Sequence, residues 1–276
     1  MSSAYLLVSH GSRDPRPQVA LECLAQLLQE SKEKERGKLR ELQELREKNY
    51  SPLTTHHSPL TTLIGTACLE LSLTPLHQQI TEFSDRALAC GHQQVQLVPL
   101  FLLPGVHVME DIPAEVELGR QALAAKIKLE LRPHLGSHAG LVRLLQNQLK
   151  QTEAEQTILL AHGSRRVGSG HPVEAIARQL GAVTAYWSVA PSLGERVQEL
   201  AMVAKRTADS SVGRRRIAIV PYFLFAGGIT DAIAEVVEQL QSQFPAIELS
   251  LMEPLGATQE LADLIWDLVE TEPIEI

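Results

Sequence analysis

Two histidines and a glutamate carry the chemistry of this sequence, because each closes an apolar run. His10 ends "YLLVSH", Glu70 follows "TLIGTACL", and His107 comes after "VPLFLLPGV". Two neutral imidazoles and a carboxylate make an open donor set for a borderline divalent cation such as Co2+, Fe2+, Ni2+ or Zn2+. An unperturbed imidazole titrates near about 6.5, so the same rings accept protons at neutral pH and lose both abilities in acid. A single histidine at such a position ordinarily hydrogen-bonds a neighbouring loop. Three polar groups at three run ends of one half of the chain point instead to a shared site, in which Glu70 is either a ligand or a solvated helix start.

The elements that must bring them together repeat. "HGSR" stands at 10–13 and again at 162–165, an offset of 152, while "VPLFLLPG" (98–105) matches "VPYFLFAG" (220–227) at 122. "LRPHLGSHAGLVRLL" (131–145) lies against "LMEPLGATQELADLI" (251–265) at 120. The chain is thus an internal duplication whose first half carries an insertion at about 32–62. Its charged part, Lys32 to Lys48, reads as an exposed extension of the preceding helix. Its remainder, with Pro52, Pro59, His56 and His57, reads as a solvated loop rather than a metal shuttle.

Each half alternates short Val/Ile/Leu runs with amphipathic stretches, the pattern of parallel strands buried on both faces and crossed over by helices. The expectation is two tandem doubly wound α/β domains with parallel four-stranded sheets, at 1–146 and 156–276, joined through the polar Gln146 to Gln156. Ligands of open parallel sheets bind beyond the carboxyl ends of the strands. There His10 and His107 can meet although they are 97 positions apart. Gly11 allows a sharp turn, and Ser12 with the following backbone N–H groups can face an anion. In the second half the gapless offsets set Ile229 against His107 and Ser188 against Glu70, so only His162 survives there. Metal chemistry is therefore expected in the first half, with the second as the facing wall.

Composition excludes other classes. The 276 residues are 44 % hydrophobic and 21 % charged, with a net charge of −8 that gives nucleic acid no basic face to bind. No apolar run approaches the roughly 20 residues of a membrane span, and no leader is evident; a soluble, cytosolic protein is expected. Cys23, Cys68 and Cys90 form neither a CxxC pair nor an even framework and are expected as buried thiols. Arg214 to Arg216 reads as a solvated turn. His77, His92, His134, His138 and His171 read as structural or surface residues.

"LLVSHGSRDP", "GTACLEL" and "VPLFLLPGVHVMEDIP", in that order and with the duplication, resemble the sirohydrochlorin chelatases of the class II chelatase superfamily in their long form. The resemblance implies insertion of Co2+ or Fe2+ into sirohydrochlorin without ATP or any organic cofactor, on the way to cobalamin or sirohaem. It assigns metal binding and proton acceptance to His10 and His107, and with less motif support makes Glu70 a ligand. The substrate it implies is a polycarboxylate macrocycle. That macrocycle needs apolar walls, for which Leu102, Leu103, Val106 and Phe225 are candidates, and local donors, for which Ser12, Arg13, Ser164, Arg165 and the backbone of Gly227 and Gly228 are candidates. Each arginine is equally well read as a surface ion pair. A duplicated chain can stand in for a symmetric dimer, so a monomer is expected. A metal carrier without catalysis would use the same three ligands but need no macrocycle-sized cleft. A serine hydrolase is disfavoured, since neither Ser12 nor Ser164 sits in G-x-S-x-G.

Overall fold

The computed structural model describes residues 2–47, 62–166, 168–207 and 215–270. The first half runs β1 (Ser3–Ser9), α1 (Arg16–Glu47), β2 (Ile64–Cys68), α2 (Leu76–Ala89) and β3 (Gln94–Pro99). A π-helical turn (His107–Asp111) then runs directly into α3 (Ile112–Leu123), followed by β4 (Lys128–Leu131) and α4 (Gly140–Leu149). The second half repeats the order as β5 (Gln156–Ala161), α5 (His171–Leu180), β6 (Val183–Tyr186), α6 (Leu193–Thr207), β7 (Arg215–Pro221), α7 (Gly228–Gln243), β8 (Ile247–Leu251) and α8 (Gln259–Glu270). Both sheets are parallel and four-stranded, ordered β2-β1-β3-β4 and β6-β5-β7-β8. The tandem α/β architecture expected from the repeat is the one observed.

Strand periodicity decides which layer each apolar residue joins. Along β1, Leu6 and Val8 face outward into a core with Ile80 and Phe83 of α2 and Ile112 and Val116 of α3, while Leu7 faces inward. Along β5, Ile158 and Leu160 face outward onto α6 and α7, while Leu159 faces inward. The two inward faces share one core. Leu21, Leu24 and Leu28 of α1 and Leu141 and Leu145 of α4 pack in a single cluster with Val173 of α5 and Leu261 and Ile265 of α8. The molecule is therefore a stack of helices, sheet, helices, sheet, helices, in which the inner helices of the two halves pack on one another in a shared core. Polar ties reinforce the join. The buried Arg132 guanidinium donates to the Leu268 carbonyl at 2.7 Å and to the Glu130 carboxylate at 2.8 Å. The Trp266 indole donates to Ser31 Oγ at 2.8 Å.

Three local expectations are corrected or refined. Cys23 and Cys90 are exposed and only Cys68 is partly buried, because Cys23 falls on the solvent side of α1 between the buried Leu21 and Leu24, and Cys90 caps the end of α2. Arg215 and Arg216 open β7 rather than form a turn, and Arg216 pairs with Glu153; Arg214 lies outside the described residues. The helical part of the insertion is continuous with α1 as expected, with Leu39 and Leu42 exposed. His56 and His57 lie outside the described residues.

Candidate metal centre

The three run-end residues meet. β1 and β2 continue their ladder past the last strand residues: Leu69 N donates to Ser9 O and Glu70 N to His10 O, both at 2.9 Å. This pairing fixes Glu70 beside His10. Gly11, at φ +97°, turns the chain away directly over the Glu70 backbone, where an added Cβ would stand 2.1 Å from the Glu70 carbonyl oxygen. Only glycine fits both the conformation and the approach. From β3, paired with β1 on its other side, the chain turns through Pro104 and Gly105 into the π-helical turn that carries His107.

The resulting geometry is that of an open donor cluster. His10 Nε2 lies 3.8 Å from Glu70 Oε2, and His107 Nε2 lies 3.9 Å from Glu70 Oε1. The imidazole centroids are 4.8 Å apart at an interplanar angle of 87°. One ligand atom from each residue can be chosen so that all three lie within 4.8 Å of one another, a spacing that ligands 2.0–2.2 Å from one ion reach after small side-chain adjustments. The side chains of His10, Glu70 and His107 are 52 %, 49 % and 32 % exposed, which leaves coordination positions open toward solvent. His107 Nδ1 is 2.7 Å from Asp111 Oδ2. Phe101, the end of the third apolar run, sits beneath both rings, with centroids 6.3 Å from His10 and 6.1 Å from His107.

The cluster opens into a cleft of about 800 Å3 between the two halves, within the usual range for small-molecule sites. Ser12, Arg13, Leu102 and Leu103 line it from the first half, and Phe225 and Gly227 from the second, with His162 on the far wall. Val106, Ser164, Arg165 and Gly228, expected at this wall from motif position, are not among its lining residues. Val106 is exposed on the flank of the π-turn, while the Ser164 hydroxyl accepts from Arg166 N at 3.2 Å just as that of Ser12 accepts from Asp14 N at 3.0 Å, so this local bond does not separate the two serines. Chain order placed these loops at the right strand ends but could not say which way each folds.

The second half keeps the backbone of the site but, of its three donors, only the counterpart of His10, His162. Trp187 N donates to Ala161 O and Ser188 N to His162 O, both at 2.9 Å, so Ser188 occupies the Glu70 position as aligned. Its hydroxyl is spent on the His162 and Gly163 carbonyls. Among the described residues, His10, Glu70 and His107 are the one set of three or more potential ligands gathered closely enough to hold a metal ion.

Several residues at the site were not legible as functional. Leu71 comes next after Glu70 at φ +58°, a conformation rarely adopted by a leucine, and lines the cleft. At the cleft edge Arg16 bridges the halves: its guanidinium bonds Asp14 and, from α7, Asp231, with Nη2 2.5 Å from an oxygen of each. Hydrogen bonds from Arg16 hold the Asp14 carboxyl down at about 2 and lower that of Asp231, while the two carboxylates raise Arg16. A second, looser cross-cleft pair joins Arg166 to Glu110 at 3.8 Å. Three of the other histidines pair with the fold around them. His134 Nδ1 bonds the Phe101 carbonyl, His92 Nδ1 bonds Ser2, and His77 Nδ1 bonds Glu115; burial lowers the pKa of His134, opposed by its bond to Phe101.

Two duplicated parallel α/β halves, with a cluster of two histidines and a glutamate at the strand ends of one and a cleft between them, define a chelatase-like protein. The chain belongs to the CbiX family, whose model matches it twice, over residues 56–152 and 156–272. The first match begins after β1, so His10 lies outside it. Among curated proteins the chain is 25 % identical over 281 residues to the sirohydrochlorin cobaltochelatase of Priestia megaterium, covering 96 % of this chain and 78 % of that one. It is also 25 % identical over 190 residues to the sirohydrochlorin ferrochelatase of the same organism, covering 66 % and 68 %. Among solved structures, SirB from Bacillus subtilis with Fe3+ aligns at a TM-score of 0.69 and 19 % identity, covering 98 % of this chain and 94 % of that one. CbiX, described as the terminal enzyme for biosynthesis of sirohaem in denitrifying bacteria, aligns at 0.58 and 20 % identity, over 97 % and 98 %. These structures share the fold.

Proposed function

We propose that the protein is a sirohydrochlorin chelatase that inserts Co2+ or Fe2+ into the macrocycle without ATP, for cobalamin or sirohaem synthesis. The observation that carries this reading is the His10, Glu70 and His107 cluster, two of whose members, His10 and His107, line a two-walled cleft. The chelatase relatives and the family support it. Insertion exchanges metal-bound water for four ring nitrogens and releases two pyrrolic protons. His10, Glu70 and His107 hold the cation on one face of the ring, and the imidazole rings take the protons. Leu102, Leu103 and Phe225 shape the apolar walls, while Ser12 and Arg13 meet carboxylates at the rim. The donor set admits several first-row metals, so availability in the cell selects among them. A carrier that merely stored metal would need no cleft of this size.

The same reading makes the chain a cytosolic monomer with no nucleic-acid or membrane partner. The shared central core, in which the inner helices of one half pack on those of the other, supports a monomer. Among the described residues no helix is long and apolar enough to cross a membrane.

The test is anaerobic mixing of protein, sirohydrochlorin and Co2+ or Fe2+, with insertion read by visible absorption. His10→Ala and His107→Ala are each expected to lose at least about 100-fold over spontaneous insertion, since each removes a ligand and a base. His162→Ala is expected to stay within about threefold, because its neighbours Ser188 and Ile229 leave no comparable site. Folded His162→Ala as inactive as His10→Ala, with His107→Ala active, would move the site to the other half and refute the reading.

A further inference from the structure

The two copies differ by one residue where it matters most. Between Gly105 and Ile112 the first half has six residues, whereas between Gly227 and Ile233 the second has five. The glycines stand at equivalent turns, and Ile112 and Ile233 are both wholly buried, each with a buried valine four residues later, Val116 and Val237. The register beyond the turn is therefore 121, not the 122 of the preceding motif. The second half spends its five residues on a regular helix, α7. The first absorbs the sixth in the π-helical turn, where the N–H of Ile112 reaches back to the carbonyl of His107. A π-turn is the form a helix takes when one extra residue must be housed without displacing the helix beyond it.

The extra residue changes which side chains face the cation site. It lets Ile112 enter the core where Ile233 does, while His107 and Asp111 both stay on the cleft side of the turn. Their counterparts, counted from the glycine and from the isoleucine respectively, are Ile229 and Ala232, so the copy without the π-turn has neither the imidazole nor the carboxylate. In the first half the two are in direct contact, Nδ1 to Oδ2 at 2.7 Å. Among the described residues Asp111 makes no other ion pair. An ionised carboxylate only accepts, so the shared proton belongs to Nδ1 and the lone pair is left on Nε2. That nitrogen is the one turned toward Glu70, 3.9 Å away.

We propose that Asp111 is a positioning residue of the metal centre: seated by the additional residue of the π-turn, it fixes His107 as the Nδ1–H tautomer and aims its Nε2 lone pair at the incoming cation. The proposal rests on the chelatase reading for its purpose but not for its first test. Carboxylate partners of this kind set ring orientation and tautomer in metal sites, and their loss costs about 10–100-fold in metal affinity.

Side-chain 15N NMR of metal-free, histidine-labelled protein reads the tautomer directly. Wild type is expected to show His107 protonated at Nδ1, and Asp111→Ala to show Nε2–H, the form free imidazole side chains prefer. Titration with Co2+, read from its visible d–d bands, is expected to show affinity about 10–100-fold weaker in Asp111→Ala. Asp111→Asn, which keeps an acceptor oxygen, should recover part of that loss, and binding of metal-free sirohydrochlorin should stay within twofold in both. Asp111 is 45 % exposed, and circular dichroism checks that both variants fold. His107 protonated at Nε2 in the metal-free wild type, or Asp111→Ala binding Co2+ as wild type does, would overturn the proposal. Failure of the wild type itself to bind Co2+ would instead overturn the chelatase reading, and is distinguishable because it leaves the His107 tautomer as it was.

Discussion

Replacing Gly11 by alanine should break the metal centre without replacing any ligand. The new Cβ would stand 2.1 Å from the Glu70 carbonyl oxygen and 3.0 Å from its carbonyl carbon. Contacts below 3.0 Å are essentially never seen for real Cβ atoms, so one strand end must retreat by close to 1 Å. Since Glu70 N is also tied to His10 O, that retreat separates the carboxylate from the imidazole it faces. A misplacement of about 1 Å in a reacting constellation costs roughly 100-fold. The φ of +97° adds backbone strain of about 1–2 kcal/mol for alanine, which lowers Tm by about 2–8 °C in a chain of this size. The duplication supplies the control. Gly163 has φ +80°, and its added Cβ would meet Tyr186 Cβ and Val189 Cγ2 at 2.8 Å, away from any ligand. Gly163→Ala should therefore lose similar stability yet keep chelation within about threefold. Thermal unfolding paired with anaerobic Co2+ insertion reads both effects. Gly11→Ala retaining near-wild-type insertion while its Tm falls like that of Gly163→Ala would show that Gly11 shapes only the fold.

The join between the halves and the insertion each give a further expected outcome. Arg16 holds Asp14 at about 2 against an ordinary 3.8; a depressed carboxyl contributes stability above the unfolded value and loses it as pH falls through the folded one. Arg16 likewise lowers Asp231, the partner across the cleft, so wild type should keep this tie to lower pH than an unpaired carboxylate would allow, and Arg16→Ala should move the acid transition, read by near-ultraviolet circular dichroism, upward; an unchanged midpoint would remove the clasp from the stability of the cleft. Helix α1 has 32 residues, about 48 Å, whereas the seven residues of β1 span only about 23 Å, so Arg16 to Ser31 suffices to run back along the sheet. Ser31 and Lys32 are tied to the second half through Trp266 and Glu270. Replacing 37–61 by a short flexible linker should leave folding and insertion intact, with a loop-closure change below about 1 kcal/mol, whereas cutting from Ser31 should lower Tm; loss of activity in the shorter cut would give the segment a place at the cleft.

The sequence by itself determined the repeat, the eight strands, and the identity of the three groups that could hold a cation. These are local or periodic signals. A run such as "YLLVS" is apolar on both faces because a parallel strand is covered on both sides, and a histidine or glutamate directly after such a run lies at a sheet's carboxyl edge. The alternation in β1 and β5 even encodes two layers. Tertiary structure decided the rest. Nothing in the periodicity of α1 says that it packs against the other half's α8, by which the two tandem halves come to share one central core. Arg16 reads as an unremarkable surface charge until folding brings Asp231, 215 positions away, against it. Ser164 and Arg165 carry the same motif as Ser12 and Arg13, and Ser164 makes the same local bond as Ser12, yet only the first pair lines the cleft: a repeated sequence fixes where a loop starts and not which side chains reach the shared cleft. In the sequence Asp111 stands just before the Ile112 and Pro113 that open α3. Its contact with His107 depends on a single extra residue housed as a π-turn, which shows only when the buried Ile112 and Ile233 are seen in equivalent places in the two cores.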